Sequence, residues 1–243
     1  MSLLTVENVT KRIGGLVAVN GVSFAVAPSE IVGIIGPNGA GKTTVFNLVT
    51  AFLPVDTGRI SFDGRDITRL RTDEISRLGL VRTFQHAQPF AQLTVLENAM
   101  IGAFARGAGR HQARARGREA LHLLGLEVHS SIPAGRLSPA ELKRLELARA
   151  VATEPRMLLL DECMAGLRPP EVATLVECIR TLNAGGIAIV LIEHVMSAME
   201  ALADRIVVLH HGEKLAEGGL GDVFGDAAVV EAYLGKETAL AEH

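Results

Sequence analysis

Apolar and polar positions alternate over residues 3–26, in the stretches LLTVENV and LVAVNGVSFAV, with Gly14, Gly15 and Gly21 as interruptions. Period-two alternation broken by glycines predicts short antiparallel strands, so the chain opens as a small β layer. The pattern then changes. Ile31, Val32, Gly33, Ile34 and Ile35 form one continuous apolar run that stops at a glycine-rich turn, and apolar residues resume at helical spacing over 43–50. That reads as strand, loop, helix, with the strand buried on both faces. Residues 58–62, followed by Asp63 and Gly64, predict a hairpin able to rejoin the first layer.

From about 88 to 152 the periodicity is helical. Thr94, Val95, Leu96 and Glu97 have the form of a capping box, and residues 114–124 run basic, then apolar, as one amphipathic stretch. Strand-like apolar runs return at 157–160 and 187–192, separated by an amphipathic helix over 170–182 and a stop at Gly185 and Gly186. Residues 205–210 and 214–217 predict a closing hairpin before a short carboxy-terminal helix. Alternating strands and helices of this kind give a mostly parallel sheet. The expected fold class is therefore α/β. A core is drawn from 1–87 and 153–243 with an antiparallel β subdomain, and an inserted helical subdomain spans 88–152.

Composition narrows the picture. The 243 residues fit one large domain, and although 48% are hydrophobic, no uncharged apolar run approaches the roughly 20 residues of a transmembrane helix. The surplus fits doubly buried strands and a surface covered by a partner. With 24 Lys and Arg against 27 Asp and Glu, the net charge of -3 gives no footprint for nucleic acid. The start, MSLLTVENVT, has no basic region or cleavage site of a signal peptide, and two cysteines fit a reducing compartment.

The glycine-rich turn carries the first chemistry. Gly36, Pro37, Asn38, Gly39, Ala40, Gly41, Lys42 and Thr43 match G-x-x-x-x-G-K-[ST] between a buried strand and a helix. Glycines let backbone N–H groups turn inward around phosphates, and the helix start adds partial positive charge. Lys42 reaches the β and γ phosphates, and the Thr43 hydroxyl suits Mg²⁺. At the end of a later buried strand stand Asp161 and Glu162, on the sheet edge where open parallel sheets bind ligands. One acid suits a metal held through water and the next an attacking water. His194, two residues past another apolar strand, sits on the same edge, where an ordinary capping or loop histidine is the commoner finding.

These motifs, in this order and over nearly the whole chain, resemble the nucleotide-binding subunit of an ABC transporter. Gln85 in Arg82-Thr83-Phe84-Gln85 and Leu137-Ser138-Pro139-Ala140-Glu141 fall where that family has its glutamine loop and signature. Gly79-Leu80-Val81-Arg82, Leu93-Thr94-Val95-Leu96-Glu97-Asn98 and Glu231-Ala232-Tyr233-Leu234-Gly235 are similar to the ATPases of branched-chain amino acid importers, a subgroup that includes urea and amide uptake systems. The resemblance implies a P-loop NTPase core using ATP and Mg²⁺. It implies nucleotide contacts along 36–43, at Thr44, and at Ile13 in the position of the adenine-side aromatic. Thr43, Gln85 and Asp161 would be the metal residues, Glu162 the catalytic base, and Gln85 and His194 the sensors of the γ-phosphate. Two such chains, or this chain and a paralogue, would sandwich ATP, with Ser138, Ala140 and Glu141 facing the partner's nucleotide. A membrane permease would dock near 88–96 on the cytoplasmic face of the inner membrane, served by a periplasmic solute-binding protein.

The chain departs from the family at three places. The signature lacks both glycines and the glutamine of Leu-Ser-Gly-Gly-Gln, Arg168 stands where the loop after the acid pair often has aspartate, and Ile13 is aliphatic. Glu141 would repel an anion unless turned back onto its own cap. The expectation is an asymmetric pair with a paralogue of better signature. The alternative functions are a non-hydrolytic nucleotide-dependent regulator and a soluble repair or translation protein.

Overall fold

The computed structural model describes residues 2–83 and 89–234. Strands β1 (Leu4–Ile13) and β2 (Leu16–Val26) form the opening antiparallel hairpin, with Leu4 opposite Val26 and Ile13 opposite Leu16. The fully buried β3 (Ile31–Ile35) leads through the glycine-rich turn into α1 (Lys42–Val49). Then β4 (Thr57–Phe62) returns to β1, Leu4 opposite Phe62, and the short β5 (Arg65–Asp66) completes a four-stranded sheet of order β2-β1-β4-β5. The hairpin predicted at 58–62 does rejoin the first layer.

Helix α2 (Thr72–Leu78) and strand β6 (Leu80–Arg82) follow, both too short to leave a periodic signature in the sequence. Three helices then pack together: α3 (Val95–Ala105), α4 (Arg110–Leu123) and α5 (Pro139–Val151). Helix α4 begins at Arg110, ahead of the stretch expected from residue 114, with Arg110, Arg114 and Arg118 exposed and Ala113, Gly117, Ala120 and Leu121 buried. Both expected capping boxes are present. Thr94 and Ser138 accept from the backbone N–H of Glu97 and Glu141, whose carboxylates reach back to the cap N–H groups.

Strand β7 (Met157–Asp161), helix α6 (Pro169–Ala184), strand β8 (Ala188–Ile192), helix α7 (Met196–Leu202), and the hairpin β9 (Arg205–His210) with β10 (Glu213–Gly218) complete the larger sheet. Helices α8 (Leu220–Gly225) and α9 (Ala227–Leu234) end the described chain. The sheet order is β10-β9-β3-β8-β7-β6, parallel except for β10. Alternate residues of its strands feed two cores. Val32, Ile34, Leu159, Val190 and Ile192 pack toward α1 and the antiparallel sheet, whereas Ile31, Ile35, Leu158, Leu160, Ile189 and Leu191 pack toward the helices. Burial on both faces explains why these strands read as continuous apolar runs.

Candidate functional site

The carboxyl ends of β3, β7 and β8 lie side by side, and each delivers polar residues to one edge. After β3 the backbone enters Gly36 at φ 152°, where a Cβ would stand 2.1 Å from the Leu209 carbonyl oxygen. Gly41 has φ 100°, and its Cβ would meet the Ala18 carbonyl oxygen at 2.7 Å. Only glycine fits either place. Gly41 also starts α1 with no side-chain cap, unlike α3 and α5, so the first N–H groups of this helix are left for a ligand. Lys42 is buried, and its Nζ donates to the carbonyls of Gly36 at 2.7 Å and Pro37 at 3.0 Å. A cleft of about 460 Å³ opens there, lined by Asn38, Gly39, Ala40, Gly41, Lys42, Thr43 and Thr44 from the loop and by Glu162. From the opening hairpin, Leu16, Val17 and Ala18 join the lining. Ile13 lies on that hairpin, half exposed, and is not among the residues lining the cleft, whereas Leu16 and Val17 are.

Two strands carry the acids and the histidine. Glu162 follows β7 with φ 49°, a left-handed conformation rare outside glycine, which turns its side chain out of the sheet toward the cleft. Its Oε1 lies 3.2 Å from His194 Nε2, so the sequence-separated pair meets. Asp161 points elsewhere. Its Oδ2 accepts from Arg82 Nη2 at 2.7 Å, both side chains are only 5–6% exposed, and Arg82 Nη1 donates to Asn47 Oδ1 at 2.6 Å. The guanidinium also sits over the Phe46 and Phe52 rings. Asp161 and Thr43 line one cavity of about 770 Å³. A hydroxyl and a carboxylate are hard oxygen donors, and among the described residues no cluster of three metal-ligating side chains competes with them. This set fits Mg²⁺, which takes few protein ligands and fills its remaining positions with phosphate oxygens and water. Gln85 lies outside the described residues.

The pair Arg82 and Asp161 gives a stability prediction. Arg82→Met removes this guanidinium and leaves a carboxylate buried, with an expected loss of about 3–5 kcal/mol in urea unfolding. Arg71→Met, at an exposed ion pair, should cost less than about 1 kcal/mol. Equal shifts in the two variants would contradict the assignment.

Ser138, Ala140 and Glu141 begin α5 and line neither of the two cavities just described. The Glu141 carboxylate is turned back: Oε2 accepts from Ser138 N–H at 2.8 Å and from Ser138 Oγ at 2.7 Å, and Oε1 lies 2.9 Å from His129 Nε2. The Ser138 N–H, with further help from the Ser138 hydroxyl and His129, holds its carboxyl below the usual range. Glu193, which the sequence reading passed over, is 2% exposed, and its Oε1 accepts from Met164 N–H at 2.8 Å. Burial pushes its carboxyl up, against the pull of that N–H and of the Cys163 thiol. Its signal in the sequence is an acid placed directly after an apolar run and before His194.

A glycine-rich loop after a buried parallel strand, an inward lysine and an acid pair at the end of another strand of the same sheet define a nucleotide-binding P-loop protein. The family model described as ABC transporter matches residues 19–165. The chain is 40% identical over 250 residues to the high-affinity branched-chain amino acid transport ATP-binding protein LivG of Escherichia coli K12, covering 96% of this chain and 98% of that one. It is 39% identical to BraF, of the same description, from Pseudomonas aeruginosa, with the same coverage. A solved ATP-binding cassette of an ABC transporter in its ADP conformation superposes with a TM-score of 0.88 at 34% identity, covering 97% and 99% of the two chains. A dimeric cassette in a post-hydrolysis state, bound to ADP and Pi, gives 0.79 at 25% identity over 89% and 98%. The chain belongs to the ABC transporter family, as an ATP-binding cassette.

Proposed function

We propose that this chain hydrolyses ATP to energise a membrane permease for the uptake of branched-chain amino acids or a related amino acid or amide. The observation that carries the hydrolytic part is the contact of Glu162 with His194 beside a phosphate loop whose helix start is uncapped. The solute class rests on the relatives, LivG and BraF among them. The loop N–H groups and Lys42 bind the phosphates, and Glu162 takes the proton from an attacking water. His194 steadies Glu162 and reaches the γ-phosphate. Thr43 and Asp161 would hold Mg²⁺, which when bound neutralises charge on the phosphate oxygens. Gln85 would join them as metal residue and sensor, as the family resemblance implies. A non-hydrolytic regulator has no use for the Glu162 and His194 pair, which argues against that alternative.

The second ATP-binding subunit, a copy of this chain or a paralogue, would receive Ser138, Pro139 and Ala140 against its nucleotide. The Glu141 carboxylate is folded onto its cap and bonded to Ser138 and His129, so it stays charged but turned back from that nucleotide. Pro139 still lacks an N–H and Ala140 adds a methyl, so a paralogue of better signature remains the favoured partner. A periplasmic solute-binding protein and a place at the cytoplasmic face of the inner membrane follow from the importer reading. No helix among the described residues is long and apolar enough to cross a membrane, and in the importer reading the permease supplies the crossing.

Phe90 marks the permease side. It is half exposed, and its backbone is clamped by Asn98, whose Oδ1 accepts from Phe90 N–H at 2.9 Å and whose Nδ2 donates to Phe90 O at 3.1 Å. The Arg149 guanidinium stacks 5.6 Å from its ring, beside the 770 Å³ cavity between β6, α3 and α5. A rigidly presented, solvent-facing aromatic suits an anchor for a partner. A photocrosslinker at Phe90 should capture the permease in membranes. Crosslinks confined to this chain would refute the docking surface.

A further inference from the structure

Glu193 is buried beside the hydrolytic pair without a part in the chemistry described so far. Strands β7 and β8 end in register, Asp161 opposite Ile192, and Glu162 N–H still donates to Ile192 O at 2.9 Å. Backbone pairing stops there, because the left-handed turn at Glu162 takes the chain out of the sheet. Among the described residues, the backbone bonds that follow are local turns, Ala165 N–H to Glu162 O at 3.3 Å and Leu167 N–H to Met164 O at 3.2 Å. Ala165 and Gly166 are exposed, and Gly166 is itself left-handed at φ 77°. These turn bonds tie the segment after Glu162 to itself and not to the end of β8.

Glu193 supplies what the sheet no longer does. Its carboxylate takes the Met164 N–H at 2.8 Å and the Cys163 thiol, so the residue preceding His194 grips the two residues following Glu162. No ion pair to Glu193 is found among the described residues. A buried acid satisfied only by neutral donors is a costly way to stabilise a fold, and its benefit lies in where it holds the loop. We propose that Glu193 is a positioning residue for ATP hydrolysis, fastening the loop after β7 to the end of β8 so that Glu162 and His194 stay in register. This rests on the reading of Glu162 as the base.

The test compares Glu193→Ala, Glu193→Gln and Glu162→Gln in the full chain. Glu193→Ala should lower kcat at least about tenfold while ATP affinity stays within about twofold, a loss confined to the transition state. The Met164 amide should exchange with deuterium at least about tenfold faster in that variant, a readout that needs no nucleotide. Glu193→Gln keeps an oxygen acceptor for the Met164 N–H and should recover kcat to within about threefold of the parent. If the alanine variant does not fold, Glu193→Asp replaces it. That side chain retains charge but is shorter by one methylene, and it should turn over more slowly than the glutamine variant. A parent-like kcat in Glu193→Ala, a glutamine variant as impaired as alanine or aspartate, or a parallel loss of ATP affinity would overturn the inference. Parent-like turnover by Glu162→Gln would overturn the assignment of the base, and inactive Glu162→Gln beside parent-like Glu193→Ala would overturn the role of Glu193 alone.

Discussion

Lys42→Ala should lose nucleotide binding, with the dissociation constant for ATP rising at least about 100-fold, or about 2.8 kcal/mol. Lys42 is the buried cation of the phosphate loop, its Nζ held by the carbonyls of Gly36 and Pro37 so that the charge is poised over the cleft before nucleotide arrives. A charge pair about 4 Å apart at an effective dielectric of 20 contributes about 4 kcal/mol, and alanine removes all of it. The backbone consequences should be small, because Gly36 and Gly41 set the loop's path through their own conformations and contacts. Equilibrium titration with a fluorescent ATP analogue, alongside a thermal melt to show that the variant is folded, checks this. Parent-like affinity in a folded variant would remove Lys42 from the site.

Glu162→Gln should separate binding from turnover. Glutamine keeps the length of the side chain and one oxygen acceptor but cannot take a proton from water, and general base catalysis typically accounts for about 10²–10⁴ in rate. The phosphate loop is untouched by the change, since Glu162 reaches the cleft from β7 and the loop from β3. Phosphate release should therefore fall at least about 100-fold with ATP still bound. The 3.2 Å contact with His194 keeps the glutamine side chain in place, so the variant tests chemistry and not folding.

Much of this architecture is legible in the sequence because its signals are local. Residues 31–35, 157–160 and 187–192 are apolar without interruption since each strand is covered on both faces, and the capping boxes at Thr94 and Ser138 depend on residues three apart. The phosphate loop is legible for the same reason, as one contiguous segment with its own strand and helix. Other features depend on partners far away in the chain. Arg82 meets Asp161 across 79 positions and Asn47 across 35, so neither contact leaves a trace in spacing. Glu193 reaches Met164 across 29 positions, and only its anomalous place after an apolar strand hints at it. Helix α2 and strand β6, seven and three residues long, carry no periodicity of their own, and β6 is fixed by its parallel pairing with β7, Leu80 opposite Met157. Even at the signature, where the sequence shows a cap and a charge, only the structure shows the Glu141 carboxylate folded away and met by His129.

The central claim is that one chain binds ATP through the loop after β3 and hydrolyses it with the acid after β7. The most direct test measures ATP occupancy and steady-state phosphate release on a single preparation of Glu162→Gln, beside the parent, with MgATP at saturation. The account predicts equal occupancy and phosphate release reduced at least about 100-fold. Equal release from the two proteins, or loss of release accompanied by loss of bound ATP, would contradict it.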